Sequence, residues 1–361
     1  MCAATNAGGS ELSNVKVCGT CGVPDRTRKS LTWNPDGTIS ETRDPEHRMV
    51  FADVDGLSQL FNDIEGLIGM PLDAIITESK AKATGEFTKN LIKGWKGAVV
   101  RRAGLGIVIN KMGGVAKSFG YGDIEILYVD WKKDRIDFRL HDPYSVPLMC
   151  GDLRGATEAV KDVVGTVEPE QEDENTWIVR GYLAPPPSGM EERLSAPPVK
   201  AKPGNLSYER CRSCGVPLGI SGFDWDMKRG IIRNQDTGLR FAFVGPGGIQ
   251  AIFDELAVEL GDTIPETVMN AERERVASQD FAQWKNFEAD DFREMLGVMG
   301  FGNLVSYEAS HGTFKARMEN ASLPLIVVGT AAGAVEAISG RKADVDWSLS
   351  EAGDLDMTVK V

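Results

Sequence analysis

The pattern Cys-x-x-Cys-Gly-Val-Pro occurs twice in the chain, at Cys18–Pro24 and at Cys211–Pro217, and four of the six cysteines fall in those two copies. A CxxC turn sets two thiolates one metal-ligand bite apart. The glycine after the second cysteine suits the left-handed backbone that closes such a knuckle. One knuckle brings two ligands, whereas a tetrahedral thiolate site takes four. No further ligand recurs beside the motif: His47, His141 and His311 occupy non-equivalent positions, and Cys2 and Cys150 stand alone. The simplest closure is a single site built from Cys18, Cys21, Cys211 and Cys214, one knuckle from each copy. Zinc is the expected metal, with a rubredoxin-type iron–tetrathiolate centre as the alternative. A homodimer sharing two such sites across chains is a variant. A thioredoxin-like dithiol belongs between a strand and a helix, whereas Gly-Val-Pro here leads toward a hairpin. Six cysteines in 361 residues are too few for a disulfide scaffold.

The motif belongs to a longer repeat. After each copy come a tryptophan (Trp33, Trp225), a glycine (Gly37, Gly230), an isoleucine (Ile39, Ile232), an arginine (Arg48, Arg240) and a helical stretch opened by Gly56 or Gly248, all at a spacing of 192 to 193 residues. Gly120-Tyr-Gly122-Asp then pairs with Gly300-Phe-Gly302-Asn at a spacing of 180, so the first copy carries about a dozen extra residues, placed around 89–110. The expected organisation is a disordered N-terminus over 1–13, a first unit over 14–183, a proline-rich linker over 184–206 and a second unit over 207–361. Six prolines between Pro185 and Pro203 favour an extended connector.

Within each unit the periodicity gives the elements. Leu57, Leu60, Phe61, Ile64, Leu67 and Ile68 line one face of a helix, as do Ile249, Ile252, Phe253, Leu256 and Leu260 in the second copy. Second helical regions are expected near 71–93 and 265–297. Ile136, Phe138 and Leu140 alternate with polar residues, as do Phe314, Ala316 and Met318, which predicts half-buried strands. A short helix is expected around GATEAV at 155–160 and GAVEAI at 333–338. A final hairpin turns at Glu351–Asp354. Each unit reads as knuckle, hairpin, two helices, hairpin, short helix, hairpin, which is an α+β fold with an antiparallel sheet.

The part of each unit after the knuckle resembles the 4-vinyl-reductase domain, whose fold is related to haem-NO-binding domains and to certain vesicle-trafficking subunits. The residues that carry the resemblance are the two helices, the Gly-Tyr-Gly or Gly-Phe-Gly turn into a hairpin, and the helix Gly151-Asp-Leu-Arg-Gly155-Ala-Thr-Glu158 with its counterpart Gly329-Thr-Ala-Ala-Gly333-Ala-Val-Glu336. A Gly353-Asp354 hairpin closes the second unit. The resemblance covers roughly 120 residues of each unit and excludes the knuckle and first hairpin. It implies a cavity between helices and sheet for a small apolar molecule or a tetrapyrrole intermediate. The cysteines that many such domains carry near the last hairpin are absent here.

A formal net charge of −13 disfavours nucleic acid and anionic membrane surfaces as partners. No apolar run reaches the length of a membrane span. The N-terminus lacks a basic and an apolar region, so the expected location is cytoplasmic. No GxSxG, HExxH, Walker A or strand-linked GxGxxG motif occurs, and no Ser–His–Asp or Cys–His set recurs between the copies. The acidic run Glu168–Glu174 reads as a solvated hairpin tip. The aromatics Trp95, Phe119, Tyr121, Trp284, Phe301 and Tyr307, with His141 and His311, are candidates for the wall of an apolar ligand pocket; ordinary core packing is the commoner role of such aromatics, and a surface position that of a lone histidine at a hairpin. The reading that results is a non-enzymatic, metal-stapled tandem protein that carries or senses a small hydrophobic or aromatic molecule or a tetrapyrrole, or supports a partner enzyme. The alternatives are an iron electron-transfer protein and a docking subunit of a larger redox complex.

Overall fold

A computed structural model describes residues 16–92, 113–130, 132–161, 163–184, 200–278, 289–310 and 312–361. The fold is α+β with three antiparallel sheets. The central six-stranded sheet has the order β1-β2-β3-β10-β9-β8. Its first three strands, β1 (Leu31–Trp33), β2 (Ile39–Glu41) and β3 (Asp44–Asp53), precede the linker. The other three, β8 (Phe223–Asp226), β9 (Ile231–Asn234) and β10 (Arg240–Val244), follow it. The two sets meet where β3 pairs with β10, with Phe51 directly opposite Phe243.

That central pair is buried on both faces, so it reads as a continuous apolar run. Phe51, Phe241, Phe243 and Met49 face a cluster that contains the cysteine knuckles, Trp33 and Phe223. Val50, Ala52, Ala242 and Val244 face the helices. The rings of Phe51 and Phe243 stack with centroids 4.4 Å apart.

Each flanking sheet has four strands. One has the order β4-β5-β7-β6, from β4 (Asp123–Asp130), β5 (Arg135–His141), β6 (Val164–Asp173) and β7 (Thr176–Ala184). The other has the order β11-β12-β14-β13, from β11 (Asn303–Ser310), β12 (Thr313–Glu319), β13 (Asp344–Leu349) and β14 (Leu355–Lys360). The helices are α1 (Asp25–Ser30), α2 (Val54–Ile68), α3 (Asp73–Leu91), α4 (Val146–Lys161), α5 (Pro246–Leu260), α6 (Ile264–Ser278), α7 (Ala289–Val298) and α8 (Pro324–Ser339), with a helical segment over 113–119 ahead of the Gly-Tyr-Gly turn. The second expected helical region, 265–297, appears as α6 and α7, with 279–288 outside the described residues. The helix expected to be short around each GAxEA segment spans 16 residues in both α4 and α8. Its first turns are buried almost all round, so they carry no amphipathic stripe to mark them in sequence.

Glycines set how closely these helices pack. A Cβ on Gly155 of α4 would lie 2.0 Å from the Ala81 carbonyl oxygen of α3, and one on Gly333 of α8 would lie 2.6 Å from the Arg273 carbonyl oxygen of α6. Contacts also cross between the parts before and after the linker. The Trp33 indole donates to the Val298 carbonyl at 2.8 Å, and the Gly122 N–H donates to the Gly230 carbonyl at 2.9 Å. The recurring arginines serve the same crossing. Arg240 donates to the carbonyls of Gly120, Asp142 and Pro143, and Arg48 donates to the carbonyl of Asn320. Asp142 and Asn320 both hold positive φ, at 49° and 58°, a conformation that Asp and Asn tolerate better than most residues. Among the described residues no helix is long and apolar enough to cross a membrane.

Two glycine-to-alanine changes should separate packing from propensity. Gly155→Ala forces α3 and α4 apart and is expected to destabilise by about 1–3 kcal/mol. Gly66→Ala, in an open stretch of α2 with nothing within 4 Å of the added carbon, should stabilise by about 0.5–1 kcal/mol. Chemical denaturation of both variants checks the contrast.

Candidate metal centre

The two knuckles are built alike. In the first, the Cys18 N–H donates to the Val23 carbonyl at 2.9 Å and the Gly22 N–H donates to the Cys18 carbonyl at 2.8 Å. In the second, Cys211 donates to Val216 and Gly215 donates to Cys211, both at 2.8 Å. Gly22 and Gly215 hold φ of 74° and 79°, the left-handed turn for which glycine is best suited. Val23 and Val216 are buried and fix each knuckle to the aromatic face of the central sheet.

This anchoring brings the knuckles together. The four Sγ atoms of Cys18, Cys21, Cys211 and Cys214 all lie within 4.8 Å of one another. Cys18 and Cys211 are 3.8 Å apart, and Cys21 and Cys214 are 3.4 Å apart. Zinc–sulfur bonds near 2.3 Å in a tetrahedron place sulfurs about 3.8 Å apart, so the cluster has the dimensions of a four-thiolate site. The distances are too long for disulfides, whose sulfurs sit about 2.05 Å apart. Beside the sulfurs, the Thr20 and Ser213 hydroxyls meet at 2.6 Å on the surface.

The electrostatics divide the four thiols into two kinds. Backbone N–H groups of Cys21 and Thr20 pull Cys18 down to about 6. The Ser213 N–H leads the lowering of Cys211. Burial pushes Cys21 and Cys214 up. A bound cation favours the thiolate at all four. Arg28 donates to Asp25 at 2.8 Å, and that hydrogen bond holds its guanidinium proton more firmly. Among the described residues this is the one set of three or more His, Cys, Asp or Glu side chains close enough to share a metal ion.

The other nominated residues do not gather around one point. Phe119 is buried against Phe243, with centroids 5.9 Å apart, and Tyr121 stacks on Tyr144 at 4.5 Å. His141 ends β5 with its Nδ1 3.2 Å from the Thr176 hydroxyl. Phe301 packs against two core clusters, one shared by the parts before and after the linker and one confined to the part after it. Tyr307, on β11, donates from its hydroxyl to Asp290 at 2.8 Å. Trp95, Trp284 and His311 lie outside the described residues, as do the 1–13 segment and most of the linker. The gap between α4 and its sheet, lined by Ile136, Phe138, Leu153 and Val167 among others, measures about 10 Å³, which is room for about one water.

The sequence nominated no residue of the polar cluster around the half-buried Asp152. Asp152 accepts from the Thr84 hydroxyl at 2.6 Å and the Tyr144 hydroxyl at 3.0 Å, and pairs with Lys80 at 3.2 Å. His47 lies nearby against Phe87; burial, with the charge of Lys80, holds it down to about 4. The available signal was the aspartate in Gly151-Asp-Leu-Arg-Gly155, where the second copy has Thr330. No protein-family model, curated protein or solved structure matches the chain.

Two predictions follow from these geometries. Protein purified without oxygen should hold about one metal per chain. Cys214→Ser should lower that stoichiometry to near zero, and chelation should lower Tm by on the order of 5 °C. Because His47 binds its proton more weakly folded than unfolded, it adds stability above pH 6.5 that is lost as pH falls toward about 4. Glu41, raised to about 7 by burial, acts with the opposite sign over part of that window. The difference in unfolding free energy between the parent and His47→Phe, followed with pH, isolates the histidine.

Proposed function

We propose that the chain is a metal-stapled tandem protein. Its two pseudo-symmetric halves, each similar to a 4-vinyl-reductase domain, are joined by one zinc ion on Cys18, Cys21, Cys211 and Cys214. Its role is non-enzymatic: to carry or sense a small hydrophobic or aromatic molecule or a tetrapyrrole, or to support an enzyme that does. The observation that carries the metal assignment is the convergence of four sulfurs within 4.8 Å from two motif copies 193 residues apart. Four protein ligands fill a tetrahedral zinc, which leaves no position for substrate and suits a structural ion. The pairing of Phe51 with Phe243 and the matching strand orders of the two flanking sheets support the duplication. The apolar ligand rests on the resemblance. With so little room between α4 and its sheet, such a ligand enters only as helix and sheet part.

The second reading is a rubredoxin-like iron centre that transfers electrons. Two observations favour it: backbone N–H groups aimed at Cys18 and Cys211, and the half-buried position of Cys214, which brings one sulfur toward solvent. Metal content with an ultraviolet–visible spectrum decides between the two. About one zinc and no colour supports the staple; about one iron with visible thiolate-to-iron bands makes electron transfer the function. The ligand is tested by thermal shift against aromatic hydrocarbons and porphyrins. A Tm increase with any of them supports the carrier role, and no response across the panel removes it.

A further inference from the structure

A concavity of about 420 Å³ lies where the end of the linker crosses the post-linker sheet, lined by Pro203, Gly204, Asn205, Arg293, Asn303, Val305 and Glu319. Among the described residues, two buried polar atoms of its lining have no hydrogen-bond partner. Asn303 is 1% exposed, yet its side-chain Oδ1 accepts no hydrogen bond. The buried Nε of Arg293 donates none. Glu319 forms no ion pair with Arg293, although both line the same space. Buried amide and guanidinium groups are normally satisfied, so orphans gathered at one concavity point to a ligand.

The fold places these groups on purpose-built supports. Asn303 on β11 and Glu319 on β12 are direct cross-strand partners, which sets their side chains on one face. The register slips between Leu304 and Ser306, so Val305 is the extra residue of a β-bulge and lies in the lining. Arg293 comes from α7. The linker wall is fixed as well: the Lys202 N–H donates to the Asn320 side chain at 2.7 Å, and the Leu206 N–H donates to the Pro35 carbonyl at 2.8 Å.

The corresponding positions of the pre-linker part are internally paired. At a spacing of 180 residues, Asn303 corresponds to Asp123 and Gly297 to Lys117, and there Lys117 and Asp123 form an ion pair at 2.7 Å. The post-linker part has Gly297 and Asn303 at those positions, so that ion pair has no equivalent there.

We propose that this concavity binds a small zwitterion carrying one carboxylate and one protonated amine, the chemistry of a free amino acid. A guanidinium selects a carboxylate. The Glu319 carboxylate and the Asn303 oxygen both require a donor, which a simple anion lacks. A simple cation leaves Arg293 unanswered. A molecule with both charges satisfies the set in one binding event, and the volume accommodates one of amino-acid size. The site is independent of the metal and of the apolar ligand.

Isothermal titration of the full metal-loaded chain with glycine, L-alanine, L-glutamate, L-lysine and L-phenylalanine tests this, with propionate and propylamine as single-charge controls. At least one amino acid should bind, and both controls should bind at least 10-fold more weakly. Arg293→Gln and Glu319→Gln should each weaken binding at least 10-fold while metal content and Tm stay unchanged. Should Arg293→Gln fail to fold, Arg293→Lys takes its place. Absence of binding by all five amino acids, equal binding of either control, or affinity indifferent to both substitutions overturns the proposal.

Discussion

The antiparallel pairing of β3 with β10 is the constraint on which the rest of the molecule depends. It joins segments about 190 residues apart, and both of its faces are buried. On one face its phenylalanines form the floor on which the knuckles rest, so the positions of Cys18, Cys21, Cys211 and Cys214 follow from that of Phe51 and Phe243. On the other face its small residues receive α2 and α5. Loss of the pairing would separate the sulfurs and open the helical core together. A metal at the knuckles and the phenylalanine stack below it therefore reinforce a single junction from two sides.

Much of the local structure was legible in the chain because it rests on short-range rules. The Gly22 and Gly215 turns, the faces of α2 and α5, and the alternation at Ile136–Leu140 each follow from residues a few positions apart. The convergence of four cysteines was legible for a different reason: two ligands per copy leave one economical closure. What could not be read was which hairpin packs against which helices. Trp33 and Gly37 fit the Gly300 turn of the other part as well as the equivalent turn of their own, and only the folded chain distinguishes these. The recurring Arg48 and Arg240 marked the repeat, but their targets, Asn320 and Asp142, lie across the linker.

The two parts also diverge where their cores are polar. Lys80, Thr84 and Tyr144 converge on Asp152 before the linker. After it, Glu272 joins Thr330 at 2.9 Å and Arg275 at 2.8 Å, and Arg275 reaches back to the Asp53 cap of α2 at 3.2 Å. The charges are placed differently: the first network ties α3 to α4, whereas the second ties α6 to α8 and also to the start of α2. These differences sit at positions where helical periodicity carries no information about polarity.

The crossing of hairpins has a consequence for how the protein is made. When the ribosome has completed the pre-linker part, β3 has no β10 to pair with, and Trp33 has no Val298 to receive its indole proton. At about 5–20 residues per second, the stretch from Ala184 to the end of β10 at Val244 takes roughly 3–12 s to appear. Throughout that interval Met49, Phe51 and one surface of α3 face water, presenting a strand edge beside exposed aromatic rings. In that state the first knuckle waits with only half a ligand set.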